Sequence, residues 1–133
     1  MGSYRSFPPV TPYRVTPDDL NRAFARIDIH PGSLLPDRTV LLQNYPNPFN
    51  PETWLAYQLA SDASVEITIY DTTGALVRRL DLGHQVAGFY RDRSRAAYWN
   101  GRNETGERVS SGLYFYQLRA GDYAETRRMA ILK

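Results

Sequence analysis

The sequence predicts an all-β fold, an antiparallel sandwich of two sheets with about seven short strands, and three observations carry that prediction. Runs that alternate apolar and polar residues recur from residue 40 onward, and such alternation puts every second side chain on one face of a strand. Turn signals built on Gly, Asn and Asp separate these runs about every ten residues, with no helical pattern between them. The composition agrees. Ten Tyr and nine Gly among 133 residues, 42% apolar and 13% aromatic, supply strand formers, tight turns and enough apolar mass for a core.

Residues 1–39 read differently and form a separate N-terminal region. Positions 4–15, YRSFPPVTPYRV, are Pro-rich and aperiodic, as in an extended arm. A helix is expected over Pro17–Ile27. Thr16 caps it, Pro17 takes its first position, and Asp18 and Asp19 complement the positive end of its dipole. It stops before His30-Pro31-Gly32. The start MGSYRSF has no apolar stretch of signal-peptide type, so no signal peptide is expected there. The chain is expected to be a piece of something longer.

The β-region spans residues 40–133. Val40–Gln43 is expected as a short first strand, followed by a corner, LLQNYPNPFNPET at 41–53. Pro46, Pro48 and Pro51 fix their own φ and push the residues before them toward extended geometry, which excludes helix and central strand. Tyr45 and Phe49 are positioned to pin that corner to a core. Thr53–Leu59 alternates with Leu55, Tyr57 and Leu59 on one face, and reads as one strand. Ser64–Tyr70 turns Val65, Ile67 and Ile69 inward and Glu66 and Thr68 outward. DTTG at 71–74 is a tight connection to the next strand, Ala75–Leu82, with Val77 in the core.

Gly83 and Gly88 are expected to bracket a loop, with Phe89-Tyr90 starting a strand. Ala96–Trp99 is a short strand carrying one large anchor. Asn100-Gly101 and ETGE at 104–107 are turns. Leu113–Ala120 is the strongest strand. Gly121-Asp122 turns the chain into the last one, Tyr123–Leu132.

Charge excludes little. The net charge is +2, from five Arg against eight acids in residues 1–77 and eleven basic residues against six acids in 78–133. This gradient can favour an anionic surface, although a solvated charged sheet is the simpler reading. Without cysteine there is no disulfide and no thiolate metal site. His30 and His84 have no ligand-spaced partner. Asn100, Asn103, Glu104 and Glu107 gather oxygen atoms as a calcium site would, but they fit no EF-hand spacing, and turn chemistry explains them. No nucleophile elbow and no phosphate-cradling loop occurs. An enzyme, a cofactor, a nucleic-acid partner and a membrane span are therefore not expected.

Tyr98, Trp99, Tyr114, Phe115 and Tyr116 can be read as a stacking platform for sugar rings or bases. Core packing is the default for such residues. RDRSR at 91–95 is a basic cluster able to meet phosphate or sulfate, with an exposed loop as the plainer account.

Five segments occur together in the order seen in one bacterial family: QNYPNPFNPET at 43–53, IYDTTGALVR at 69–78, AGFY at 87–90, YWNGRNETGERVSSGLYFYQL at 98–118 and TRRMAILK at 126–133. Over residues 40–133 the chain resembles the FlgD Ig-like / type IX secretion system (Por secretion) type A C-terminal sorting domain family. Asn100 stands where that family usually has Asp. The resemblance implies an immunoglobulin-like sandwich at the C-terminal end of an exported bacterial protein. It implies a secretion and sorting signal at the outer membrane and cell surface, recognised by sorting machinery or neighbouring protein domains. It implies no catalytic residue. Tyr45, Pro46, Pro48, Phe49, Trp99, Gly101, Gly112 and Tyr114 are the expected structural anchors. Gly121, Arg127, Arg128 and Lys133 are the expected recognition positions. Two other readings stand beside this one: a structural Ig-like subunit that assembles with neighbouring copies, and a carbohydrate-binding module for cell-surface polysaccharide.

Overall fold

A computed structural model describes residues 35–133. The Pro-rich arm and the helix expected over Pro17–Ile27 lie outside the described residues. Among the described residues all regular structure is β, in nine strands rather than about seven: β1 Val40–Leu41, β2 Thr53–Leu55, β3 Tyr57–Leu59, β4 Ala63–Tyr70, β5 Leu76–Gln85, β6 Gly88–Tyr90, β7 Ala97–Trp99, β8 Gly112–Ala120 and β9 Tyr123–Ile131. One layer is a four-stranded antiparallel sheet in the order β5-β4-β8-β9. The other is made of two small sheets, β1-β3-β6 and β2-β7. The apolar faces of the two layers enclose one core, the arrangement of an Ig-like sandwich.

Ser64–Tyr70 sits in β4 as its alternation predicts, with Val65, Ile67 and Ile69 buried. Thr68, expected outward, is buried as well. It lies on the outer face, but β4 is a central strand, and its register neighbours Arg79 and Gln117 flank it on either side. Burial on an outer face therefore comes from the long side chains beside it rather than from the core.

The stretch Thr53–Leu59 is not one strand. It breaks at Ala56 into β2, which pairs with β7, and β3, which pairs with β1 and β6. Leu55, Ala56 and Tyr57 are buried in succession, which a single pleated strand with one wet face does not allow. The carbonyl of Ala56 instead accepts from Leu42 N–H at 2.9 Å.

The strand expected to end at Leu82 continues to Gln85. Gly83 lies inside it rather than opening a loop. Asp81 pairs with Glu66 and Gly83 with Val65, so Leu82 is the extra residue of a bulge. Gly83 takes φ 71° there, and its N–H donates to Asp81 Oδ1 at 3.0 Å. The DTTG turn forms as read: Asp71 Oδ1 accepts from the N–H groups of Thr73 and Ala75 and from the Thr73 hydroxyl.

Candidate recognition surface

The corner at 41–53 is held from both layers. Asn44 is buried, and its N–H donates to the Tyr116 hydroxyl at 2.9 Å, which in turn donates to Leu42 C=O at 2.8 Å. Burial pushes the Tyr116 phenol up to about 12. The Asn44 amide donates to Thr53 Oγ1 at 3.0 Å and to the Pro46 carbonyl at 3.2 Å. Tyr45 exchanges both backbone hydrogen bonds with Trp54. Pro46 and Pro48 lie exposed on the outside of the corner. Phe49 reaches the core and packs 5.5 Å from Trp99, ring centre to ring centre.

Trp99 is 0% exposed. Its indole N–H donates to the Arg102 carbonyl at 2.9 Å, and Tyr114 meets its ring edge-on at 6.2 Å. The Tyr114 hydroxyl donates to the Ser110 carbonyl at 2.8 Å. Gly101 takes φ 76°, with the Pro51 carbonyl pressed onto the position a Cβ would occupy. That contact joins the corner to the Trp99 turn.

The corner also covers part of a sheet edge. Strand β9 pairs only with β8 in register. Its Ala130 turns away from β8: the N–H donates to Asn47 Oδ1 at 3.0 Å and the carbonyl accepts from Phe49 N–H at 3.0 Å. Leu132 N–H donates to the Phe49 carbonyl at 3.0 Å. Two residues back, the Arg128 carbonyl accepts from the Gln43 amide at 3.0 Å. By the same alternation Thr126 and Ala124 point their N–H and C=O to the open side, and no backbone hydrogen bond occupies them among the described residues. Among the described residues the C-terminal half of the edge is thus sheathed and the Ala124–Thr126 half is open.

The four expected recognition positions surround this edge unevenly. Gly121 is exposed in the β8–β9 turn at φ 59°. Arg127 is half-buried, and its Nε donates to the Leu41 carbonyl at 2.6 Å, while Leu41 N–H donates to Glu125 Oε1 at 2.8 Å. Two side chains of β9 thereby hold the backbone of β1. Arg128 is exposed on the outer face, opposite Phe115. Lys133 is exposed, and its N–H donates to Ser111 Oγ at 3.0 Å. Gly112 opens β8 at the same end.

The default of core packing holds for most of the aromatic group at 98–116, and the alternative of a stacking platform does not form as a unit. Trp99, Tyr114 and Tyr116 are core residues, and Phe115 lies half-buried on the outer face of the other layer. Of the five, only Tyr98 is largely exposed. Its partner lies outside that group of five: Trp54, its cross-strand neighbour. The signal was present, since alternation from the buried Thr53 and Leu55 sends Trp54 outward.

The oxygen cluster at 100–107 is turn chemistry. Asn103 Oδ1 accepts from Thr105 N–H, the Thr105 hydroxyl and Glu107 N–H. Asn100 Oδ1 accepts from Arg102 N–H, and Glu104 Oε2 from Arg79 N–H on the β5 edge. Among the described residues no three His, Cys, Asp or Glu side chains come together as metal ligands. No helix of the described residues is long and apolar enough to cross a membrane.

Comparison with known proteins places this geometry. The sequence model of the family described as FlgD Ig-like domain matches residues 49–123, more than half of the chain. No curated protein sequence matches. Among solved structures, dimeric latent PorU from Porphyromonas gingivalis is similar at TM-score 0.55 and 20% identity over 71% of this chain and 9% of that one, a likeness of fold. PorZ of the same organism, described as a surface component of its type-IX secretion system, overlaps at TM-score 0.47 and 25% identity, over 68% of this chain and 11% of its own. FlgD from P. aeruginosa overlaps at TM-score 0.44 and 21% identity, over 70% of each chain. This chain therefore spans about a tenth of the length of the two Porphyromonas proteins.

Proposed function

Because the chain belongs to the FlgD Ig-like domain family, we propose that it is a non-catalytic recognition module of an exported bacterial protein, serving as a C-terminal sorting signal and a means of surface attachment. The observation that carries this reading is the edge of β9. A strand whose backbone is sheathed at one end and open at the other offers a defined landing length for strand addition. Backbone hydrogen bonds supply the affinity, and the flanking Gly121, Arg127 and Arg128 set the register. Two of the segments that resemble type IX sorting domains, 43–53 and 126–133, form the sheath and the covered half of this edge. They support the finer assignment within the family. The anchors Trp99, Phe49 and Tyr114 act at one remove, by fixing the corner that leaves only part of the edge free.

The test is export. The full chain is fused behind a reporter carrying an inner-membrane export signal and expressed in a host with a type IX system. Reporter in the medium or on the cell surface is the expected result. Retention of folded fusion in the periplasm argues against sorting. Regular self-association of the purified chain, without export, returns the reading to a structural Ig-like subunit.

A further inference from the structure

The outer face of the β2–β7 pair carries a second feature, unconnected with the β9 edge. Tyr45, Trp54 and Tyr98 stand side by side across it. The Tyr45 and Trp54 rings lie 6.3 Å apart and nearly parallel, and Trp54 and Tyr98 lie 5.5 Å apart. The loop between β6 and β7 lays arginines over aromatic rings. The Arg91 guanidinium sits 4.4 Å from the Phe89 ring centre, Arg93 4.3 Å from Trp54, and Arg95 4.9 Å from Tyr90. The loop is preformed. The Asp92 carbonyl accepts from Arg95 and Ala96 N–H, the Asp92 carboxylate accepts from the Ser94 hydroxyl, and the Tyr45 hydroxyl donates to the Arg91 carbonyl.

A guanidinium stacked on a ring keeps its in-plane N–H donors free for a planar anion. Stacking also holds it in place before any ligand arrives, which lowers the ordering cost of binding. Among the described residues, Arg91, Arg93 and Arg95 form no ion pair. Two acids lie close: Asp92, bound to Ser94, and Glu52, whose Oε1 accepts from the Tyr98 hydroxyl at 2.7 Å. The loop thus remains net positive.

We propose that this face binds an acidic polysaccharide. Arg91 and Arg93 take its carboxylate or sulfate groups, and Tyr98, 48% exposed, takes the apolar face of a sugar ring. Trp54 backs both Arg93 and Tyr98. A protein partner fits less well, because Tyr98 is the one large apolar side chain of this face that is exposed, at about half of its surface, and a protein interface needs an apolar centre. A nucleic-acid strand needs a succession of exposed rings, and this face offers one.

The experiment is calorimetric titration of the full chain at physiological salt with oligogalacturonate, dextran sulfate, neutral dextran, polyglutamate and oligo-dT. Binding to one or both acidic glycans, and to none of the other three, is expected. The galacturonate and sulfate arms tell carboxylate from sulfate recognition. The double variant Arg91→Gln/Arg93→Gln weakens binding at least tenfold, and Tyr98→Ser at least fivefold. Arg108→Gln/Arg119→Gln, which removes equal charge elsewhere, leaves it within twofold. Thermal melts check that each variant is folded. Equal losses in the two double variants, comparable affinity for polyglutamate, oligo-dT or neutral dextran, or no binding at all overturns the proposal.

Discussion

The Tyr116 hydroxyl stands between the N–H of Asn44 and the carbonyl of Leu42, accepting from one at 2.9 Å and donating to the other at 2.8 Å. One side chain of β8 thus satisfies a buried and a half-buried backbone group of the corner that leads into the sandwich. Tyr116→Phe keeps the ring and strands both groups. The expected loss is about 1–3 kcal/mol, the cost of leaving buried polar groups unpaired. Urea unfolding measures it. A loss below about 0.5 kcal/mol means that water reaches the corner and the bridge is dispensable.

The same phenol makes stability fall at high pH. Burial raises Tyr116 from 10.0 to about 12 in the folded state, and burial pushes Tyr57 up as well. A raised acid is still protonated in the folded chain when it has ionised in the unfolded one, so unfolding is favoured as pH climbs. Stability from this source is complete below pH 10 and declines from there to pH 12. For Tyr116 the loss amounts to about 2–3 kcal/mol by the upper limit. Unfolding curves at pH 8–12 for the parent and Tyr116→Phe give the answer: the variant falls less steeply. Parallel slopes locate the effect elsewhere.

Gly101 and Gly106 make a matched pair. Both have positive φ, at 76° and 86°. At Gly101 a Cβ runs into the Pro51 carbonyl, whereas at Gly106 nothing lies within 4 Å. Gly106→Ala is expected to cost about 1–2 kcal/mol, the left-handed penalty alone. Gly101→Ala adds displacement of the corner and is expected to cost about 3 kcal/mol or more. Thermal melts of the two variants compare them directly. Equal melting temperatures show that the corner yields freely.

Trp99 and Trp54 separate core from surface. Trp99→Ala empties a fully buried site against Phe49 and Tyr114, at an expected cost of about 3–5 kcal/mol. That is a large part of the stability of a domain this size. Trp54 is half-buried on the outer face, and Trp54→Ala is expected to cost about 1–2 kcal/mol. Denaturant midpoints rank the two, and the reverse order contradicts the layer assignment.

What the sequence discloses follows from where burial is one-sided. Val65, Ile67 and Ile69 alternate because β4 has one face on the core, and period two reads that directly. The turns at 71–74 and 100–107 are legible because Asp71 and Asn103 bond their own backbone locally. The break at Ala56 is not legible, since Leu55, Ala56 and Tyr57 are all apolar or aromatic whether the strand bends or runs straight. Nor is the continuation of β5 past Gly83, because a bulge glycine and a loop glycine look alike until the partner register is known. The sheathing of β9 by Asn47 and Phe49 spans more than eighty residues of sequence. No local pattern reports a contact of that range. The open half of the edge, and with it the shape of the recognition surface, therefore needs the fold.

That open half permits a test that leaves the sandwich intact. Thr126 turns its N–H away from β8, so Thr126→Pro removes no hydrogen bond within the sheet. Proline is tolerated on edge strands for this reason. The ring does block one backbone donor and the close approach of an added strand. The melting temperature is expected to drop by no more than about 4–8 °C, equivalent to about 1 kcal/mol in a domain of this size. Export of the reporter fusion is expected to fall at least fivefold. Gln117→Pro, on a central strand, is the contrasting variant, since it breaks the sheet and should abolish folding. Undiminished export by a folded Thr126→Pro chain rules out strand addition at this edge and leaves the outer faces as the surface that is read.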